Sequence, residues 1–82
     1  MYSIIFSLSA KKQLQSLDKH IQKRIISVLE RIRFRPERFV RKLVGDPAYR
    51  LRVGDYRVIM DIEKDRLLII VLKVGHRKRI YK

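Results

Sequence analysis

The sequence predicts one α+β domain over residues 1–82, with an N-terminal strand and two helices packed on a small, antiparallel-dominated sheet of about four strands. Apolar residues recur at helical spacing between Asp18 and Pro36, which predicts an amphipathic helix. The second half instead carries alternating or continuous apolar runs separated by polar turns, which is typical of strands. Because the helices and strands are segregated along the chain, the helices are expected on one face of the sheet.

The first half of the chain predicts one strand followed by two helices. Residues 1–8 form an apolar run that begins with no basic segment and holds no cleavage site of the signal-peptide kind, so we interpret it as a strand. Ser9 is the expected N-cap of a short helix, and Asp18 is the expected N-cap of a longer one. The longer helix should end near Arg35, because Pro36 disfavours the α conformation in the residue before it.

The second half predicts a connection and then three strands. Residues 36–48 show no clear period and contain turn residues, which predicts an irregular connection before the first of these strands. The polar turn at 63–66 leads into the nearly unbroken apolar run 67–72. A run of this kind is typical of a strand in the middle of a sheet that is buried on both faces.

A predicted hairpin around residues 54 and 55 carries three arginines on one face. Gly-Asp between two alternating runs is typical of a type II′ turn, because glycine supplies the positive φ that this turn requires. The resulting register places Arg52 opposite Arg57, with Arg50 one diagonal step away, and directs the apolar side chains to the other face. Like charges opposite each other destabilise a sheet, so the arrangement favours an anion-binding role over an ordinary solvated face.

The composition also favours an anionic partner. The chain has 21 Lys and Arg against 8 Asp and Glu, a formal charge of +13, and such an excess favours nucleic acid or an acidic protein. A membrane is the weakest candidate, because the longest apolar run is far too short to span a bilayer. Without a signal peptide and without cysteine, the chain is expected to be cytoplasmic and to have no disulfide.

Three short motifs follow one another along the second half of the chain. They are Lys42-Leu43-x-Gly45, Tyr49-Arg50-Leu51-Arg52-x-Gly54-Asp55-Tyr56-Arg57-Val58 and Val74-Gly75-His76-Arg77-Lys78-x-x-Tyr81. In this order and spacing they resemble the RelE/ParE toxin superfamily of toxin–antitoxin systems, on its RelE side, and the resemblance covers essentially the whole chain. It implies a fold similar to microbial ribonucleases, ribosome-dependent cleavage of messenger RNA in the decoding A site, and neutralisation by an antitoxin.

The resemblance also implies the roles of five residues. Arg50 and Arg52 stand at the two basic hairpin positions of the family, and Arg57 stands at its arginine on the following strand. Arg77 and Tyr81 stand at its catalytic arginine and its C-terminal catalytic tyrosine. The best-known members carry lysine at the two hairpin positions. Arginine effectively cannot lose its proton, so the arginines of this chain are expected to act as electrostatic clamps on phosphate.

Proton transfer in such a reaction has two candidates. Tyr81 is the leading base, because a cluster of arginines favours the phenolate form of a nearby tyrosine. His76 is the competing acid or base, although many histidines beside a turn are simply exposed. Lys42, Lys78 and Arg79 are expected to contact RNA. The histidines and carboxylates lack the spacing of metal ligands, and the scattered glycines form no phosphate-binding loop, so no metal or cofactor is expected.

Further expectations concern partners and rival functions. The resemblance implies a RelB-like antitoxin, bound in a complex of two copies of each chain, and a ribosome carrying messenger RNA. A ParE-like toxin that poisons DNA gyrase would share the fold but lack a phosphate-cleaving site. A noncatalytic RNA-binding module would need exposed aromatic rings on its sheet, whereas Tyr49 and Tyr56 are predicted on the core face.

Overall fold

A five-stranded mixed sheet is covered on one face by two helices in the computed structural model of the chain, which describes residues 1–78. The strand order is β1-β5-β4-β3-β2, with β1 parallel to β5 and the other three pairings antiparallel. The α+β class is therefore confirmed. The elements are β1 Ser3–Phe6, α1 Leu8–Gln15, α2 Lys19–Ile32, the 3₁₀ turn Pro36–Arg38, β2 Val40–Lys42, β3 Tyr49–Val53, β4 Tyr56–Glu63 and β5 Leu68–His76.

The fifth strand is β2, within the segment that was expected to be irregular. It is three residues long and pairs antiparallel with β3, with Val40 opposite Leu51 and Lys42 opposite Tyr49. Three residues are too few to show a period of two in the sequence. The strand exists because β3 offers it an open edge, so the prediction of about four strands falls one short.

The helix boundaries differ from the predicted ones at two places. Ser7, not Ser9, caps α1, because β1 ends at Phe6 and the Ser7 hydroxyl accepts a hydrogen bond of 3.0 Å from the Ala10 N–H. Asp18 precedes α2 as expected, but its side chain makes no capping hydrogen bond. Helix α2 ends at Ile32, three residues before the predicted end.

Contacts with the N-terminus explain the early end of α2. The Arg33 carbonyl accepts a hydrogen bond of 2.9 Å from the Tyr2 N–H, and Arg33 Nε donates to the Tyr2 carbonyl at 2.8 Å. The Arg33 carbonyl is thus paired outside the helix, and Arg35, directly before Pro36, is extended with φ −147°.

The hydrophobic core lies between the helices and one face of the sheet. Strand β5 is an interior strand between β1 and β4, as its apolar run predicts, and Ile69 and Val71 are fully buried beneath the helices. The expectation that β5 is buried on both faces is only partly met, because no helix within residues 1–78 covers the other face and Ile70 and Leu72 there are half-buried. The buried core residues from the helices and strands are Ala10, Leu14, Ile25, Leu29, Ile32, Leu51, Val53, Val58, Met60, Ile69, Val71 and Val74.

Candidate functional site

The hairpin between β3 and β4 has the predicted turn and register. Gly54 has φ +59° and Asp55 does not have a positive φ, which is the pattern of a type II′ turn. Val53 pairs with Tyr56, and Arg52 pairs with Arg57. The predicted placement of these two arginines opposite each other is confirmed.

Residues paired directly across strands share a face, so the register identifies a basic surface opposite the helices. Arg52 lies opposite Arg57, and Arg50 lies between Arg41 on β2 and Ile59 on β4. Strand β5 adds Lys73, which pairs with Ile59. We call this surface the arginine face and define it by Arg41, Arg50, Arg52, Arg57 and Lys73.

Positive charge on this face is concentrated at the end near the 54–55 turn. Moving away from the turn along β4, Arg57 is followed on the same face by Ile59 and then by Asp61. Ile59 packs with Ala48 in a small second apolar cluster. Along β4 the face therefore changes from basic to apolar to acidic, but the cross-strand row of Ile59 still contains Arg41, Arg50 and Lys73. The basic part of the face is thus the two rows nearest the turn.

Arg57 is held in place by the turn itself. Its Nη1 donates hydrogen bonds to the Gly54 carbonyl at 3.3 Å and to the Tyr56 carbonyl at 3.2 Å, and the side chain is half-buried. Among residues 1–78, neither Arg57 nor the exposed Arg52 forms an ion pair. Arg57 therefore offers an oriented guanidinium whose charge is not neutralised by a carboxylate of the described chain.

Arg77 joins the same end of the sheet. Its backbone N–H donates a hydrogen bond of 2.9 Å to the Asp55 carbonyl, which fixes the chain after β5 to the turn. Its side chain is exposed. Since β5 places Gly75 opposite Arg57, no side chain separates Arg57 from this end of β5. The structure thus places Arg52, Arg57 and Arg77, which come from two predicted motifs distant in sequence, at the same end of the sheet.

His76 lies on the other side of the sheet. It pairs with Tyr56, and the two rings make an edge-to-face contact with centroids 5.5 Å apart. Tyr56 packs against the core, so the His76 ring shares the helix side and not the arginine face. Its Nδ1 accepts a hydrogen bond of 3.3 Å from the Lys78 N–H. This geometry separates His76 from the arginines it was expected to assist.

The remaining predicted site residues divide into two groups. Lys42 at the β2 edge and Lys78 after β5 are exposed. Lys42 pairs with Tyr49, so it belongs to the helix-side row and not to the arginine face. Tyr81 and Arg79 lie outside the described residues.

Sequence reasoning missed three basic residues near the site. Arg41 depends on the short strand β2, and Lys73 reaches the arginine face because a bulge at Ile59 and Met60 shifts the register of β5. Arg24 of α2 covers the turn from the helix side, where a Cβ added to Gly54 would lie 3.0 Å from Arg24 Nη1. In the sequence, Arg41 alone had a signal, because the polar Arg41 directly follows the apolar Val40 as in a strand with alternating faces.

Two other kinds of site receive no support from the part of the chain that is described. Residues 1–78 contain no group of three or more His, Asp or Glu side chains that could hold a metal ion. Neither α1 nor α2 has both the length and the apolar character needed to cross a bilayer.

Comparison with known proteins matches the chain over nearly its full length. Residues 4–81 match the family described as the ParE toxin of the type II toxin–antitoxin system parDE. Toxin RelE3 of Methanocaldococcus jannaschii is 32% identical over 84 residues, which cover 95% of this chain and 93% of that protein.

Solved structures share the fold. The archaeal RelE–RelB complex from Pyrococcus horikoshii contains a chain with a TM-score of 0.76 and 32% identity, covering 95% of this chain and 97% of that chain. The toxin–antitoxin complex RelBE2 from Mycobacterium tuberculosis gives a TM-score of 0.86 at 23% identity, covering 93% of this chain and 98% of that chain. The family match and the relatives agree with the motifs and with the observed sheet, and the chain therefore belongs to the RelE/ParE family of toxins of type II toxin–antitoxin systems.

Proposed function

We propose that the protein is a ribosome-dependent endoribonuclease that inhibits translation by cutting messenger RNA in the A site. The observation that carries this proposal is the gathering of Arg52, Arg57 and Arg77 at one end of the sheet, with Arg50 and Arg41 beside them. Guanidinium groups match the oxygens of a phosphate bidentately, and several of them around one phosphate fit a reaction that builds negative charge there.

The reaction we propose needs no cofactor. The ribose 2′-oxygen attacks the adjacent phosphorus, the bond from phosphorus to the 5′-oxygen breaks, and the products are a 2′,3′-cyclic phosphate and a 5′-hydroxyl. Arg57 is oriented by the two carbonyls of the turn, so little side-chain motion is lost when it binds the phosphate. The arginines supply charge stabilisation, because arginine effectively never gives up its proton near neutral pH.

Proton transfer is assigned to Tyr81 by family resemblance. The 2′-hydroxyl must lose a proton as it attacks, and the leaving 5′-oxygen must gain one. His76 is less suited to either step, because its ring packs edge-on against Tyr56 on the helix side of the sheet. The position of His76 therefore favours Tyr81 over His76 as the proton-transferring group.

An antitoxin partner follows from the family and from the apolar surface of the chain. The structures from Pyrococcus horikoshii and Mycobacterium tuberculosis are toxin–antitoxin complexes. In this chain, a groove of about 120 Å³ between β1 and α2 is open and largely apolar, and it is lined by Ile4, Phe6, Ile26, Leu29 and Glu30. We propose that a RelB-like antitoxin, acidic or amphipathic, covers part of this surface and shields the +13 charge in a complex with two copies of each chain.

A gyrase-poisoning activity is the second candidate, and the family match to ParE toxins favours it. The arginine face weighs against it, because a gyrase poison has no need for several guanidinium groups around one phosphate site. A noncatalytic RNA-binding module is weaker still, since Tyr49 and Tyr56 pack against the core, so the sheet itself offers neither ring for stacking on bases, and passive binding does not require arginines gathered at one end of the sheet.

The experiment that tests the proposal is incubation of the purified protein with ribosomes programmed with a defined messenger RNA, followed by mapping of the RNA ends. We expect cuts within the A-site codon that leave a 2′,3′-cyclic phosphate and a 5′-hydroxyl. Intact messenger RNA, together with inhibition of purified gyrase, would replace the proposal with the ParE-like alternative.

A further inference from the structure

The connection between α2 and β2 exposes two aromatic rings. Phe34 is 66% exposed and Phe39 is 49% exposed, and they are two of the three phenylalanines in the chain. Burying a phenylalanine stabilises a fold substantially, so folding alone gives no reason to leave both in water. Scattered surface apolar residues are ordinary, but here two large exposed rings lie within six residues of the sequence.

The segment that carries these rings is anchored to the body of the protein. Pro36, between the rings, is fully buried, and the Tyr2 hydroxyl donates a hydrogen bond of 3.3 Å to Glu37 Oε1. Arg33 pairs with the Tyr2 backbone through two hydrogen bonds of 2.9 and 2.8 Å. The rings therefore project from a fixed connection, so little conformational entropy is lost when a flat ligand stacks on them.

The surroundings of the rings are strongly basic. Arg35, Arg38 and Arg41 are exposed and lie next to the rings in sequence. Glu37 is the sole acidic residue between positions 33 and 42, and its carboxylate accepts the Tyr2 hydrogen bond. We call Phe34, Arg35, Arg38, Phe39 and Arg41 the aromatic–basic segment.

The aromatic–basic segment is continuous with the arginine face. Arg41 belongs to both, because it pairs with Arg50 across β2 and β3. Neighbouring strands lie about 4.8 Å apart, so a chain of phosphates on the arginine face can continue over the β2 edge without leaving basic surface.

We propose that the aromatic–basic segment is a second binding surface for single-stranded RNA, on which bases stack on Phe34 and Phe39 while Arg35 and Arg38 contact the flanking phosphates. Alternating rings and cations are the recurrent means of binding single strands, because every base has a face that can stack and every nucleotide carries a phosphate. The inference rests on the proposed function only in taking RNA as the polymer. A docked protein helix is the rival occupant. An exposed arginine lies next to each ring in sequence, at Phe34-Arg35 and Arg38-Phe39, and this repeat fits a polymer in which bases alternate with phosphates, which favours RNA.

The test measures RNA binding without cleavage. The probe is a fluorescein-labelled 2′-O-methyl oligoadenylate of about 12 nucleotides, which cannot be cut because its 2′-oxygen is blocked, and binding is followed by anisotropy at several salt concentrations. The variants are Phe34→Leu with Phe39→Leu, which removes the rings but keeps apolar side chains, and Phe34→Tyr with Phe39→Tyr, which keeps the rings. Leu8→Ala removes another exposed apolar side chain, 71% exposed, and serves as the control.

We expect the double leucine variant to lose affinity by about tenfold for each base that no longer stacks. The double tyrosine variant and Leu8→Ala should stay within about twofold of the wild type. The salt slope of the leucine variant should be unchanged, because its phosphate contacts remain, whereas Arg38→Gln should reduce the slope by about 0.7. A thermal melt should show the same midpoint for the leucine variant and the wild type, since the rings are exposed.

Wild-type affinity in the double leucine variant would overturn the inference. Unchanged RNA binding together with loss of the antitoxin complex in that variant would assign the rings to a protein partner instead and would also overturn it. The proposed function is tested by a different result. If the wild-type protein binds the oligonucleotide but makes no cuts on programmed ribosomes, the proposed function fails and the inference about the aromatic–basic segment stands.

Discussion

The two hairpins of the sheet differ in whether the arginines at their turns form ion pairs. At the β3–β4 turn, Arg52 and Arg57 face each other, and within residues 1–78 neither has a carboxylate partner. At the β4–β5 turn, Arg66 Nη2 lies 3.1 Å from Glu63 Oε2 in an ion pair. The fold can therefore neutralise arginine at a turn, and at the β3–β4 turn it does not. On this difference we base our proposal that the first turn binds an external anion, whereas the second is an ordinary solvated turn.

The largest expected effect of this difference is on toxicity. Arg57→Ala and Arg77→Ala should each lower the cleavage rate by about 100- to 1,000-fold, because each removes a donor to the charge that develops on the phosphate. Such a loss should abolish growth arrest after induction, which plating would measure. Arg66→Ala removes the same charge from the other turn and should remain fully toxic. Full toxicity of both Arg57→Ala and Arg77→Ala would contradict the claim that the arginines at the first turn, unlike Arg66, act on the phosphate.

The next effect is on the salt dependence of RNA binding. Each phosphate contact contributes about 0.7 to the slope of log affinity against log salt for single strands. The double variant Arg52→Ala with Arg57→Ala should therefore lower the slope by about 1.4. Arg66→Ala should leave the slope unchanged, because its charge is already paired with Glu63. Titrations of labelled RNA at four or more salt concentrations measure both, and equal slopes in all three proteins would contradict the assignment.

The backbones of the two turns should respond to substitution with opposite signs. Gly54 has φ +59° and a Cβ there would meet Arg24, so Gly54→Ala should lower the free energy of unfolding by about 1–2 kcal/mol. Leu67 in the second turn has φ +52° with a side chain, so Leu67→Gly relieves strain and should raise the free energy of unfolding by up to about 1 kcal/mol. Urea unfolding measures both changes. The same sign for both would contradict this account, because it would show that a side chain is disfavoured at only one of the two positions.

Tyr2→Phe probes the anchor of the aromatic–basic segment. Loss of the hydrogen bond to Glu37 should lower the free energy of unfolding at neutral pH. Burial, and then the Glu37 carboxylate, raise the pKa of the Tyr2 hydroxyl above its ordinary value. The neutral phenol is thus favoured in the folded state, and its contribution is full below about pH 10 and is lost as pH rises through the folded pKa. Wild type should therefore lose stability faster than Tyr2→Phe in alkali, and parallel unfolding curves above pH 10 would contradict this.

The smallest expected effect is that of His76→Gln. Its ring contacts Tyr56 on the helix side, so removal should change the single-turnover cleavage rate by less than about twofold, against the 100-fold or more typical of a general acid or base. Cleavage on programmed ribosomes at saturating protein measures it. A collapse of the rate would give the proton-transfer role to His76.

The sequence predicted the features that depend on local interactions. The Gly54-Asp55 turn fixes its own register through two residues, so the pairing of Arg52 with Arg57 follows from the residues of the hairpin alone. The core face of the helices follows from their 3.6-residue period in the same way.

Features that depend on distant contacts were not predictable. Strand β2 forms against an open edge, the bulge that places Lys73 arises from the pairing of β4 with β5, and α2 ends where Arg33 meets Tyr2. Each depends on pairing with another segment of the chain, which no local pattern encodes. Arg41 could not be placed on the arginine face for the same reason.

The most direct test of the central claim, that the first hairpin presents a phosphate site, is the single-turnover cleavage rate on programmed ribosomes for wild type, Arg57→Lys and Arg57→Ala. Lysine keeps the charge but loses the fork of the guanidinium. Our account predicts that the rate falls in that order, with Arg57→Ala about 100- to 1,000-fold below wild type while ribosome binding is retained. Equal rates in the three proteins would contradict it.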